Sequence, residues 1–260
     1  MFAHRDLSTD LIGVRDEHAP GAVVLDTERD FETLQPAVAE NLLPIVDRLE
    51  LLDYDGSWVP PGSPDVLHRL VSDEFTIGAP GDGGVAWTRQ TVPPTVLVKP
   101  RLKGSPAGFV DFLIAEALVE VGLGVPEHFL GFFTDSYPHF VDAVPLSPSD
   151  TYQVAAAIFR AHVGLSTREV FADWDGTNPD LYEEWLDAGE RLGPRLGSLS
   201  DDVTSGRTRF ADAAELACNA VKHDLEIPSP FSALDSDAYR EHGARFAVSW
   251  AEEVFEDVGG

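Results

Sequence analysis

The sequence has very little lysine. Across 260 residues there are three, Lys99, Lys103 and Lys222, and every other basic residue is arginine. Lysine and arginine together number 18 against 45 aspartates and glutamates, a formal net charge of -27. The pI is about 4.4. No basic face is visible, which excludes a nucleic-acid-binding surface of the ordinary kind. A single cysteine, Cys218, excludes an internal disulfide and a cysteine metal cluster. No apolar run reaches the roughly 20 residues of a membrane helix. The longest, Gly108 to Val121, carries Asp111, Glu116 and Glu120. The opening MFAHRDLSTDL lacks the charged-then-apolar layout of a secretory signal. A soluble cytoplasmic protein without membrane or nucleic-acid partners is therefore expected. Histidines show no HExxH spacing, and no GxSxG elbow occurs.

What is present is a globular composition: 43% hydrophobic and 10% aromatic residues, enough for a sizeable core. The acidic residues are spread along the whole chain instead of forming a tail. With lysine nearly gone, this pattern resembles the proteins of salt-loving archaea. Near 1 M salt the Debye length is roughly 3 Å, so self-repulsion of this kind is largely screened. The acidity then reflects habitat and not a basic partner.

The chain is organised around residues 75–133. Phe75–Ala79 and Val85–Val92 have strand composition and flank a turn, Pro80–Gly84. Val96–Val98 predicts a third strand, ending at Lys99. Ser105–Pro106 opens a helix from about Ala107, apolar around most of its circumference, which implies burial on several sides. Gly122 and Gly124 end it. His128–Phe133 and Pro138–Val144 read as a hairpin. Helices are expected at about 38–52, from Ser63–Pro64 to Val71, after the Ser147–Pro148–Asp150 cap, at Leu181–Leu192 and at Phe210–Leu225. One last helix places Tyr239, Gly243, Phe246, Trp250 and Val254 on a single face. The fold class expected is α+β: mostly helical, with a small antiparallel sheet and a buried central helix. Three parts follow from this: a helical segment 1–74, an α/β unit 75–146 and a helical part 147–260.

Three features of the centre have possible chemistry. Gly81, Gly83 and Gly84, with Gly78, permit close backbone approach to phosphates, or simply supply the positive φ of a turn. Lys99 ends an apolar strand, and with Arg101 and Lys103 makes the one tight basic cluster. Its compact ammonium suits phosphate oxygens, or balances nearby acids at a solvated strand end. Glu116 lies mid-helix, where a buried carboxylate needs a cation; Lys99 is the candidate partner, with Asp111 and Glu120 as alternative acids.

In that order, the glycine turn, VLVK and the helix glutamate resemble the small lobe of protein-kinase-like phosphotransferases. The resemblance covers residues 75–144 and takes VPEHFLGFF and PHFVDAV as the fourth and fifth strands. It implies a nucleotide near Gly81, Gly83, Gly84 and Lys99, with Glu116 holding the lysine. Asp173 and Asn178 in ADWDGTNPD are spaced like that family's catalytic aspartate and metal-binding asparagine, and Asp175 is a further possible ligand. ATP and Mg²⁺ would be the cofactors. His-Arg-Asp and Asp-Phe-Gly are missing, so the loop also reads as a plain helix connection, Asp, Asn and Gly being turn formers. Three functions stand side by side: nucleotide binding without efficient catalysis, a divergent ATP-dependent phosphotransferase, and a structural or interaction protein with an unidentified protein partner. The charge alone yields one expectation. Melting in KCl from about 0.1 M to 3 M should show a melting temperature that climbs with salt; a salt-indifferent melt would separate the acidity from salt adaptation.

Overall fold

The computed structural model describes residues 2–259, with the side chains of 257–259 left aside. It is an α+β protein, mostly helical, with one four-stranded sheet and one two-stranded ladder among the described residues. The chain forms two compact units. The first comprises Met1–Asp53, Arg69–Glu127 and Trp174–Glu184; the second comprises Tyr54–His68, His128–Asp173 and Trp185–Gly260. The crossing at 127/128 falls inside the stretch that the sequence groups as 75–146.

The first unit holds the sheet. Strand β1 (Phe2–His4) pairs antiparallel with β2 (Val23–Thr27), and helix α1 (Thr9–His18) connects them. A short helix α2 (Pro36–Ala39) and a two-residue strand β3 (Arg48–Leu49) follow. After α3 (Asp65–Leu70) come β4 (Val85–Thr88), β5 (Thr91–Val92) and β6 (Thr95–Val98). The sheet order is β1-β2-β6-β4, with β2 and β6 parallel and β6 and β4 antiparallel; β3 pairs with β5. The sheet is therefore mixed, not purely antiparallel. All four residues of β6 are buried, as a continuous apolar run in a central strand should be.

Helix α4 (Ala107–Leu123) leaves β6 through a turn at Pro100–Leu102 and is the buried central helix expected. Nine of its residues, from Val110 to Val121, are buried, so it is covered on several sides. Gly124, at φ +72°, ends it in the left-handed conformation. Gly122 is needed for a different reason. A Cβ there would lie 2.2 Å from the His18 carbonyl oxygen, so α4 and the end of α1 meet backbone to backbone.

Two strand expectations fail here. Phe75–Ala79 is not a strand: Ile77 makes one bridge to Leu34, and Gly78 at φ +80° breaks the extension. The expected hairpin at 128–144 is a pair of helices, α5 (Phe129–Phe133) and α6 (Tyr137–Ala143), in the second unit. His128 Nδ1 accepts the Leu130 N–H as an N-cap, and Pro138 sits in the first turn of α6. Phe129, Phe133, Tyr137 and Phe140 recur at helical spacing and are all 2% exposed or less. Strand propensity of the aromatics lost to that shared burial. The fourth and fifth strands that the kinase-like resemblance implied are thus helices.

The second unit is helical. Helix α7 (Pro148–Ala172) is capped by Ser147, whose hydroxyl accepts the Asp150 N–H. Helix α8 (Pro179–Leu196) begins in the first unit and continues in the second; α9 (Leu199–Thr204) and α10 (Phe210–Ala220) follow. The last stretch is two helices, α11 (Asp237–His242) and α12 (Ala244–Gly259), because Gly243 takes φ +49° between them. Gly164 lets α7 approach the 221–223 turn; a Cβ there would lie 2.9 Å from Lys222 N. Tyr239 is fully buried, its hydroxyl donating to Ile158 O at 2.8 Å. Among the described residues no helix is long and apolar enough to cross a membrane.

Two glycine substitutions should move stability in opposite directions. Gly122→Ala must push α1 off α4 and should cost about 1–3 kcal/mol. Gly13→Ala, in α1 with no atom within 4 Å of the new Cβ, should gain about 0.5–1 kcal/mol from helix propensity. Chemical denaturation of both variants in high salt checks the pair; equal effects would contradict the close α1–α4 crossing.

Candidate functional site

In the first unit, three loops meet at Lys99. The first is 30–32, after β2; the second is the glycine turn 78–84, before β4; the third is 99–102, after β6. Lys99 N–H donates to Gly84 O at 2.8 Å, tying the end of the turn to the end of β6. The Arg101 guanidinium binds both oxygens of Asp30 at 2.8 Å, and Glu32 Oε1 at 2.7 Å. It also donates to Phe31 O at 3.3 Å. This grip fixes 30–32 with the Phe31 ring over the lysine, its centroid 4.7 Å from Nζ.

Two of the turn glycines, Gly78 and Gly84, sit in close packing contact. A Cβ on Gly78 would lie 2.6 Å from Glu32 O and 3.0 Å from the Phe31 ring. One on Gly84 would strike the Leu102 side chain at 2.3 Å. Gly81 has φ +91°, while Gly83 faces open space. Asp82 Oδ2 accepts the Ala79 N–H at 2.8 Å, closing the turn on itself.

Lys99 is 1% exposed, and its Nζ has no hydrogen-bond partner. Burial pulls its pKa below the ordinary lysine range. The Asp82 carboxylate opposes this, Arg101 adds to it, and Glu32 and Asp30 oppose it. The expected ion pair with Glu116 is not among these interactions. Glu116 is only half-buried. The buried acid of α4 is Glu120, 4% exposed, and it accepts the Trp87 indole N–H at 2.6 Å. Glu120 lies one turn beyond Glu116 on α4, where β4 brings Trp87 against it.

Of the other expected residues, Gly81, Gly83 and Gly84 share the turn beside Lys99. Asp173, exposed at the start of the 173–176 turn, belongs to the second unit. Asp175 and Asn178 belong to the first, where Trp174 meets Phe112 of α4 edge to face. The charges that act on Lys99 come from Asp82, Arg101, Glu32 and Asp30. Among the described residues no group of three or more His, Cys, Asp or Glu side chains could hold a metal.

Sequence reasoning did not find a second polar cluster, at the β4–β5 turn. Thr88, Gln90 and Thr91 are buried there. Gln90 Nε2 donates to Thr76 O at 2.7 Å and to Glu127 Oε1 at 2.8 Å. Arg89 donates to Glu120 O and Val121 O, capping the C-terminal carbonyls of α4. A polar run, TRQT, inside an otherwise strand-like stretch was its only trace in the sequence.

These features define an α+β protein with a buried, cation-centred cluster in its sheet-bearing unit. The chain belongs to the family described as "Family of unknown function (DUF7089)", whose model matches residues 1–258. No curated protein and no solved structure matches it.

If Lys99 is a packing element, its charge should matter less than its volume. Lys99→Met keeps the stem under Phe31 and should stay within about 1 kcal/mol of the parent, since replacing a buried charge by an apolar isostere is often neutral or better. Lys99→Ala leaves a cavity and should cost about 2–4 kcal/mol. Urea unfolding in high salt measures both. Equal losses would instead place the lysine's worth in its charge.

Proposed function

We propose that this chain is an interaction protein of a high-salt cytoplasm, and that the Lys99 cluster is its structural anchor rather than a reaction centre. One observation carries the reading. The Lys99 ammonium is 1% exposed beneath Phe31, and Asp82, Glu32 and Asp30 lie close enough to act on it. A polyphosphate reaching Nζ would have to displace the ring and would meet three carboxylates. The glycines support the same reading, since Gly78 and Gly84 are taken up by packing.

A second reading rests on a different observation: Nζ has no hydrogen-bond partner, and buried polar groups without one are uncommon. Under it, the protein is kinase-like in its centre and binds a nucleotide at Gly81, Gly83, Gly84 and Lys99 without efficient catalysis. The divergent phosphotransferase would further need Asp173 as base, and Asp175 and Asn178 on Mg²⁺.

Calorimetry and thermal shift with ATP, with and without Mg²⁺, in about 2 M KCl separate these readings. The interaction-protein reading expects no saturable heat and no shift of melting temperature. Saturable binding that disappears in Lys99→Met would replace it with the nucleotide reading, and phosphate transfer would then mark an enzyme.

A further inference from the structure

The open groove along α6 and α12 has charged side chains, His139, Asp142, Arg245 and Glu252, but all are exposed. The β4–β5 turn differs, because polar groups there converge on one half-buried carboxyl. Glu127 Oε2 accepts the Arg89 N–H at 3.0 Å, and Oε1 accepts Gln90 Nε2 at 2.8 Å. The Thr88 hydroxyl supplies a third bond. Thr88 Oγ1 itself accepts the Gln90 N–H at 3.0 Å, so the three residues of the turn are cross-linked. Arg89 also holds the Glu120 and Val121 carbonyls. The carboxyl thus ties the segment leaving α4 to a turn that already grips the end of α4.

We propose that Glu127 is a proton-operated clasp: ionised, it gathers the three donors of the 88–90 turn, and on taking a proton it gives up at least one of them. An ionised carboxylate only accepts, with room for all three donors. A carboxylic acid carries one O–H that must itself be donated. The proton comes from solvent to one carboxyl oxygen, and Thr88 Oγ1 is the acceptor within reach once its own hydroxyl turns away. The charged groups around the site are Asp82 from the glycine turn, Arg89 from the β4–β5 turn and Glu120 from α4. Lys99 acts on Asp82 in turn. Burial pushes the Glu127 carboxyl up to about 7 and Asp82 adds to this, against the bonds from Arg89, Gln90 and Thr88. The exchange therefore falls across neutral pH.

The folded value lies above the unfolded 4.5, so the folded chain holds the extra proton between them. This group's contribution is full below about pH 4.5 and is lost as pH rises through about 7. The closed, ionised clasp therefore belongs to the side of higher pH, above about 7.

The test is nuclear magnetic resonance of the full ¹⁵N-labelled chain in about 2 M KCl, from pH 5 to 9. The Arg89 amide proton and the Gln90 side-chain amide should titrate together with one midpoint near 7. The Arg89 proton should move downfield as Glu127 ionises. Glu127→Gln should abolish that titration while the rest of the spectrum persists. Asp82→Asn should lower the midpoint, because it removes the neighbouring negative charge. An Arg89 amide that does not titrate in the parent, or one that titrates alike in Glu127→Gln, overturns the clasp. Should Glu127→Gln fail to fold, Asp82→Asn decides within the intact Glu127 background, and an unmoved midpoint overturns it.

Discussion

A buried ammonium under an aromatic ring is the constraint on which the sheet-bearing unit depends. An amine at 1% exposure loses its water, and a phenyl face with nearby carboxylates only partly replaces it. That replacement requires Phe31 to stay in place. Arg101 provides for this by clamping Asp30 and Glu32 on either side of it. The glycine turn in turn must pass within contact of Phe31 and Leu102, which is why Gly78 and Gly84 carry no side chain. Three loops thereby meet around one lysine, held there by the Arg101 clamp and the Lys99 N–H bond to Gly84 O, in a chain with only two other lysines.

The second unit rests on a different principle. Its centre is aromatic and apolar, built on α7 and on Phe129, Phe133, Tyr137 and Phe140. Its polar tips are satisfied locally: Trp185 Nε1 on Lys222 O, Trp250 Nε1 on Pro230 O and Tyr239 on Ile158 O. Burial pushes the Cys218 thiol upward, which makes it inert, and holds His128 neutral at a pKa of about 3. Surface ion pairs are plentiful, as with Arg209 on Asp150 and Asp212, but exposed pairs of this kind contribute little, and less in salt.

Much of the fold was legible where local signals and burial agree. Ser147 and Pro148 mark the start of α7, Gly124 the end of α4, and the apolar Val96–Val98 run a central strand. Legibility failed where two local signals compete. FLGFF and PHFVDAV carry strand-forming aromatics, yet Phe129, Phe133, Tyr137 and Phe140 recur at helical spacing, and burial chose the helix. The site was legible in part. Lys99 and its glycine turn could be singled out by type, but not their partners. Glu116 was the expected acid, whereas the residues that act on Lys99 are Asp82, Glu32 and Asp30.

By itself the sequence determined the charge, the α+β class, the buried central helix and the oddity of one lysine on an apolar strand. Each of these depends on composition or on periodicity along the chain. Only the tertiary structure decided which carboxylates act on Lys99, that Gly78 and Gly84 sit in close packing contact, and that Glu127 faces Arg89 and Gln90. Those pairings join residues 31 and 99, or 89 and 127, with no fixed spacing to record them. A contact between distant residues costs loop-closure entropy that grows slowly with length, so many partners are nearly equivalent until the packed core selects one.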